Sequence, residues 1–184
     1  TEAAADFGFG TFIVDDGWCF DGRRRVTPQS IQTWYEQVGD WRVSDRKLPR
    51  FRGHIQRARD RGLNYMLWVA PFLVGDTSTI GQSSTLKTIG EPREGCRLLD
   101  PEDRAHGEMV MDSIAGLMDL GIDGLKVDFL DAIPVSPADP RGRSTYAFIC
   151  ELSRRIRDCK AEALIEYRQH YCSPQMLALA TQFR

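Results

Sequence analysis

The sequence predicts an α/β fold built on a parallel sheet, and two features of its 184 residues carry that prediction. First, four short apolar runs lack the alternation of polar and apolar residues that marks a strand with one face in water. Second, helical apolar patterns lie between these runs, so that strands and helices alternate along the chain. The length is sufficient for one domain with a substantial core. We therefore expect parallel strand–helix units with helices covering the sheet.

The four predicted strands are residues 10–14, 64–69, 124–129 and 163–167. Three helices are predicted at residues 51–62, 101–120 and 143–160, and a fourth should begin at Ser173-Pro174, where a capping serine precedes a proline. Gly62 and Gly121 stand where they can end the first two helices, and Asp100 can cap the start of the second.

The number of units predicts an incomplete barrel. Four strand–helix units are half of a (β/α)₈ barrel, which takes about 250 residues. Residues 1–184 therefore form either one partial barrel domain or a small open sheet. Two strand-to-helix connections, 15–49 and 70–99, are unusually long, and long loops of this kind often carry substrate contacts.

Composition argues against several functional classes. A net charge of -2 does not indicate binding to nucleic acid or to an anionic membrane. No apolar run is long enough to span a bilayer, and the first ten residues do not have the pattern of a signal peptide. The five cysteines contain no CxxC pair, which favours reduced thiols and a cytoplasmic protein without a structural zinc site. No cofactor is expected.

Polar residues follow all four predicted strands. Residues two apart in a strand point to the same face, so Lys126 and Asp128 should project together. Because the carboxyl ends of parallel strands meet at one edge, the other polar ends should lie nearby. Carboxylates, cations and aromatic faces together suit a sugar ring. The other residues at these ends are Asp15, Asp16, Trp18, Trp68, Glu166 and Arg168.

Each of these residues also has a purely structural interpretation. Asp15 and Asp16 could form only a turn, the tryptophans could be core, and Lys126–Asp128 and Glu166–Arg168 could be structural ion pairs. An oxygen-rich magnesium site formed by the strand-end carboxylates is a further alternative, which the ammonium of Lys126 disfavours. His54 and His106 are expected on exposed helix faces.

The order of several short motifs resembles the catalytic barrel of the α-galactosidases, or melibiases, of glycoside hydrolase family 36 and their clan relatives, family 31 among them. The matching pieces are residues 13–18 (IVDDGW), 39–41 (GDW), 47–49 (KLP), 67–68 (LW) with Pro71, 99–101 (LDP) and 121–128 (GIDGLKVD). They cover most of the chain in the family's order.

The resemblance implies a retaining glycosidase that acts on an oligosaccharide or other glycoside. Asp128 would be the nucleophile that forms a covalent glycosyl-enzyme, and Lys126 would bind sugar hydroxyls and keep Asp128 ionised. The remaining substrate-binding residues implied are Asp15 and Asp16 on the O4 and O6 hydroxyls, with Trp18, Trp68, Arg168 and Cys172 around the sugar. The four strands would be barrel strands two to five, and the acid/base aspartate would follow Arg184.

Two departures from the family pattern leave the identity of the bound sugar undecided. Ala70 and Phe72 flank Pro71 where the family has acidic residues, and the loop after the fourth strand is not glycine-rich. The acid/base that these residues do not supply, together with the open sheet edges, gives a further alternative, an inactive half-barrel or a sugar-binding scaffold. Two such chains could pair through their open sheet edges as a homo-oligomer.

Overall fold

The computed structural model describes residues 2–20, 27–31, 33–133, 140–168 and 174–184. These residues form eight strands: β1 (Thr11–Val14), β2 (Asn64–Val69), β3 (Leu73–Gly75), β4 (Thr88–Arg93), β5 (Cys96–Leu99), β6 (Gly124–Val127), β7 (Leu164–Tyr167) and β8 (Gln182–Phe183). The helices are α1 (Glu2–Asp6), α2 (Pro28–Ile31), α3 (Phe51–Arg59), α4 (Arg104–Gly116) and α5 (Pro140–Cys159), with short 3₁₀ turns at Leu117–Leu120 and Leu130–Ala132.

The main sheet has five parallel strands in the order β1-β2-β6-β7-β8. The predicted fold class is confirmed, and the described residues form an open arc of strands that does not close into a barrel. The prediction of a fourth helix that begins at Ser173-Pro174 was wrong for the described residues, because residues 174–179 form turns that lead into β8. The other three predicted helices correspond to α3, α4 with its 3₁₀ turn, and α5.

The two faces of the main sheet have different partners. On one face, the Tyr65 hydroxyl is 2.7 Å from His54 of α3, and the Tyr167 hydroxyl bonds Ser153 of α5. The buried side chains of α3, Phe51, Ile55 and Ala58, are apolar, and β2 is almost continuously buried. The other face carries a row of polar and aromatic side chains set by the register, Trp68 beside Lys126, Lys126 beside Glu166, and Glu166 beside Gln182.

A second, antiparallel sheet of three strands, in the order β3-β5-β4, was missed from the sequence. It lies within the long connection after β2 and holds the preceding loop in place. The Gly75 amide donates to the Val38 carbonyl oxygen at 2.8 Å, and the Tyr35 amide donates to the Glu94 carbonyl oxygen at 3.0 Å. The carboxylate of Asp40 accepts bonds from the Thr79 amide and hydroxyl at 2.9 and 3.0 Å.

The start of α4 corrects two expectations. Asp103, and not Asp100, is the capping residue, since its side chain accepts a bond from the His106 amide. The His106 side chain was expected on the surface, but it is buried. Both ring nitrogens have hydrogen-bond partners there, since Nδ1 lies 2.8 Å from Asp103 and Nε2 lies 2.9 Å from Ser83. The histidine thus joins the helix start to the loop before β4. No helix among the described residues is long and apolar enough to cross a membrane.

The close approach of β6 and β7 gives a stability prediction. A Cβ on Gly124 would lie 2.0 Å from the Leu164 carbonyl oxygen, so one strand would have to shift. We expect Gly124→Ala to lower the free energy of unfolding by about 1–3 kcal/mol, measured by urea denaturation. Gly116→Ala is the matched control, because its Cβ would meet nothing within 4 Å and alanine favours a helix. Equal stability of Gly124→Ala and the unsubstituted protein would contradict the prediction.

Candidate active site

Asp128 lies directly after β6 and is buried. Its Oδ2 accepts hydrogen bonds from Trp68 Nε1 and from Arg168 Nη1, both at 3.0 Å. Its Oδ1 accepts the Phe129 amide at 2.8 Å and Arg168 Nη1 at 3.3 Å. Phe129 adopts a left-handed backbone conformation with φ of 54°, which is uncommon for a residue other than glycine. Both carboxylate oxygens are therefore held by donors in a fixed orientation.

These donors determine the ionisation of Asp128. Burial alone would raise the pKa of the carboxyl, but hydrogen bonds from the Phe129 amide, Arg168 and Trp68, together with the charge of Arg168, lower the pKa below its ordinary value. The group is consequently a carboxylate at neutral pH. An ionised carboxylate at a strand end can act as a nucleophile or stabilise a developing positive charge.

Lys126 connects two carboxylates at this edge. Its buried Nζ lies 2.7 Å from Asp15 Oδ2 and 3.6 Å from Asp128 Oδ2. Lys126 and Asp128 do project together as the two-residue spacing predicts, but the tighter partner of the lysine is Asp15. The Asp15 side chain is 61% exposed, so it can still reach a ligand from solvent.

Asp16 has different partners from its neighbour. Its Oδ2 accepts bonds from Trp34 Nε1 at 2.9 Å and from the Tyr35 hydroxyl at 3.2 Å. Neither aromatic residue was identified from the sequence, although both lie just before the Gly39-Asp40-Trp41 motif. Their position next to that motif was the sequence signal that could have identified them as part of the site. Asp15 and Asp16 are adjacent in the chain, yet one is held by a cation and the other by two neutral donors.

The tryptophans form an aromatic cluster below these carboxylates. Trp68 is 1% exposed and stacks on Tyr35, with 6.2 Å between ring centroids and 21° between ring planes. Trp41 and Phe129 meet the Trp68 ring edge-on. The indole N–H of buried Trp18 donates to the Trp68 carbonyl oxygen at 2.7 Å. Trp18 therefore acts on the site through the Trp68 backbone, while the Trp68 indole contacts Asp128 directly.

The end of β7 places a cation beside Asp128 and leaves a buried carboxylate below it. Arg168 is 35% exposed in its side chain and pairs with Asp128, not with Glu166. Glu166 is buried, and its Oε2 accepts a bond from Gln182. Within the described part of the chain, Glu166 Oε1 and Arg168 Nε have no hydrogen-bond partner. Cys172, the remaining predicted contact, lies outside the described residues.

The described side chains do not group as metal ligands. No set of three or more His, Cys, Asp or Glu side chains in these residues is placed to hold a metal ion. Asp15 and Asp128, which the magnesium alternative requires, both contact the ammonium of Lys126 instead. The described cysteines, Cys19, Cys96, Cys150 and Cys159, are free thiols.

The fold and the site together define part of a (β/α) barrel, an open arc of parallel strands with an acidic and cationic cluster at their carboxyl ends. Residues 1–129 match the sequence model of the melibiase family. The chain belongs to the melibiase family. A search of curated protein sequences gave no significant match.

Solved structures of α-galactosidases share this fold. The Thermus thermophilus α-galactosidase, solved in complex with stachyose, is 28% identical, with a TM-score of 0.68 over 100% of this chain and 38% of that protein. The family 36 α-galactosidase AgaA of Geobacillus stearothermophilus is 22% identical, with a TM-score of 0.73 over 98% of this chain and 26% of that one. The Lactobacillus brevis α-galactosidase is 20% identical, with a TM-score of 0.72 over 99% of this chain and 26% of that protein. The chain thus spans between a quarter and two fifths of their lengths.

Proposed function

We propose that this chain is the nucleophile-bearing part of a retaining α-glycosidase of the α-galactosidase type. The observation that carries the proposal is Asp128, a buried carboxylate whose pKa is lowered by donors on both oxygens, at a strand end of a melibiase-family chain. The substrates proposed are oligosaccharides or glycosides with a terminal α-linked, galactose-like sugar. Structures of AgaA variants with raffinose and stachyose support this class.

The proposed reaction has two displacement steps. A carboxylate oxygen of Asp128 attacks the anomeric carbon, the bond to the leaving oxygen breaks, and a general acid gives that oxygen its proton. Water then attacks the glycosyl-enzyme while the same acid, now deprotonated, takes a proton from the water. Asp128 is released as a carboxylate and the sugar leaves with its original anomeric configuration.

The acid/base of this reaction is proposed to be an aspartate that follows Arg184. A retaining mechanism needs two carboxyl groups about 5–5.5 Å apart across the scissile bond. Glu166, one of the described carboxylates at this edge of the sheet, bonds Gln182 on the neighbouring strand and lies in the register row of Lys126. That position suits a structural carboxylate better than one facing a leaving group.

The surrounding residues are proposed to bind the sugar. Asp15 and Asp16 would accept bonds from ring hydroxyls, and Lys126, which already orients Asp15, would donate to them. Trp68 would shape the base of the subsite, with Trp18 supporting its backbone. Arg168 and Cys172 would contact the sugar from the loop after β7. The cytoplasmic location and self-association expected from the sequence stay predictions.

Covalent trapping tests the proposed function. Full-length protein is treated with an activated fluorinated α-galactoside, which forms the glycosyl-enzyme quickly and releases it slowly, and the labelled peptide is mapped by mass spectrometry. We expect one sugar per chain, attached to Asp128, and protection from labelling by excess free galactose. A label on any other residue, or steady turnover by an Asp128→Ala variant, would refute the proposal.

A further inference from the structure

Tyr35 contacts both the Asp16 carboxylate and residues that surround Asp128. It lies in the loop that the small antiparallel sheet holds, with its amide bonded to the Glu94 carbonyl oxygen at 3.0 Å and its carbonyl oxygen bonded to the Val38 amide at 3.2 Å. Its backbone is therefore tied to the turn between β4 and β5. It belongs to none of the short motifs that resemble the α-galactosidases.

The hydroxyl of Tyr35 holds one binding carboxylate. It donates to Asp16 Oδ2 at 3.2 Å, beside the Trp34 indole at 2.9 Å. Both donors reach this oxygen, and no donor from the described part of the chain bonds Oδ1. Burial and the nearby charge of Asp16 raise the pKa of Tyr35, so the hydroxyl keeps its proton and remains a donor.

The ring of Tyr35 holds the surroundings of the nucleophile. It stacks on Trp68 and meets Phe129 edge-on at 5.9 Å. These two residues supply the indole N–H and the backbone amide that bond Asp128. One side chain therefore contacts the carboxylate proposed to bind a sugar hydroxyl and two of the residues whose donors orient the proposed nucleophile.

We propose that Tyr35 is a positioning residue that couples sugar binding at Asp16 to the orientation of Asp128. The inference rests on the proposed function. The hydroxyl restricts rotation of the Asp16 carboxylate, so that Oδ1 faces the substrate. The ring restricts Trp68 and Phe129, so that their donors stay directed at Asp128 before and after the sugar binds.

Two variants of Tyr35 in full-length protein separate these roles, with an aryl α-galactoside as the substrate. Tyr35→Phe removes only the hydroxyl, and we expect KM to rise about fivefold with kcat nearly unchanged. Tyr35→Leu also removes the ring, and we expect the rate at which a fluorinated α-galactoside labels Asp128 to fall about tenfold below that of Tyr35→Phe. Tyr65→Phe is the control, since its hydroxyl bonds His54 on the opposite face of the sheet, away from the proposed sugar site.

A double-mutant cycle tests the route through Asp16. If the hydroxyl acts by holding that carboxylate, adding Tyr35→Phe to Asp16→Ala should leave KM unchanged, because the acceptor is already gone. Equal effects of Tyr35→Phe in both backgrounds, or a normal KM for Tyr35→Phe alone, would overturn the inference while leaving the proposed function intact. Lack of any α-galactosidase activity in the unsubstituted protein would overturn both.

Discussion

Asp128→Asn is expected to lower kcat/KM by a factor on the order of 10⁴ or more. The substituted amide cannot form the glycosyl-enzyme, since its nitrogen is a poor nucleophile and its oxygen carries no full negative charge. The amide also fits its surroundings badly, because the NH₂ group would face N–H donors from Trp68 and Arg168. We therefore expect a loss of stability beside the loss of turnover.

Steady-state kinetics of full-length protein with an aryl α-galactoside would measure the effect. Asp119→Asn is the matched control, because Asp119 is an exposed carboxylate on the 3₁₀ turn before β6. A smaller variant, Asp128→Gly, offers a positive test. Azide should enter the space left by the carboxylate and attack the anomeric carbon, giving a β-glycosyl azide with release of the activated leaving group. Retention of normal turnover by Asp128→Asn would exclude this residue as the nucleophile.

Arg168→Met is expected to move the acidic limb of the kcat/KM profile to higher pH. Burial raises the pKa of Asp128, and the bonds and charge of Arg168 are part of what lowers it below the ordinary value. Without the guanidinium the carboxylate takes up its proton at higher pH, and activity at the acidic end should fall about tenfold relative to neutral pH. High salt should reduce the difference, since Arg168 is partly exposed.

The same change should alter how stability depends on pH. A carboxyl whose pKa is lower in the folded protein than in the unfolded chain contributes stability above the unfolded pKa. It loses that contribution as the pH falls through the folded pKa. In Arg168→Met, the loss of stability between neutral pH and the region below the ordinary aspartate pKa should be smaller, as measured by urea denaturation at several pH values.

Arg155→Met controls for the removal of a paired arginine. Arg155 bonds Glu108, Asp112 and Glu151 between α4 and α5, on the helical side of the sheet. Its replacement should lower stability and leave the pH profile of activity unchanged. An unshifted acidic limb in Arg168→Met, or an equal shift in Arg155→Met, would contradict the role assigned to Arg168.

Of the five strands in the main sheet, the two-residue β8 was missed. The other four were predictable because burial on both faces demands continuous apolar runs, which stand out in a sequence. The small antiparallel sheet was not, since β4 contains glycine, glutamate and proline and is mostly exposed. Its pairing with β5 depends on tertiary placement and a register irregularity between Ile89 and Arg93. Local patterns carry no signal for either feature.

The carboxylate and cation cluster was also predictable, because parallel strands bring their carboxyl ends together whatever lies between them in sequence. The partners of Asp16 were not, since Trp34 and Tyr35 follow it by 18 and 19 residues within an irregular connection. The buried His106 was missed for a related reason: its partner Ser83 lies 23 residues away in a loop whose path no periodic pattern reveals.

The hydrogen bonds between the small antiparallel sheet and the loop that carries Trp34 and Tyr35 have an evolutionary consequence. The proposed nucleophile and Lys126 come from strand ends, where any displacement disturbs the core, whereas the donors to Asp16 come from a loop that bonds the small antiparallel sheet. Substitutions in that loop that keep the buried Val38 and Trp41 should disturb the barrel core less than substitutions at the strand ends. We therefore expect sugar preference to diverge among relatives that share the same reaction. Exchange of the connections 15–49 and 70–99 between such relatives should transfer that preference.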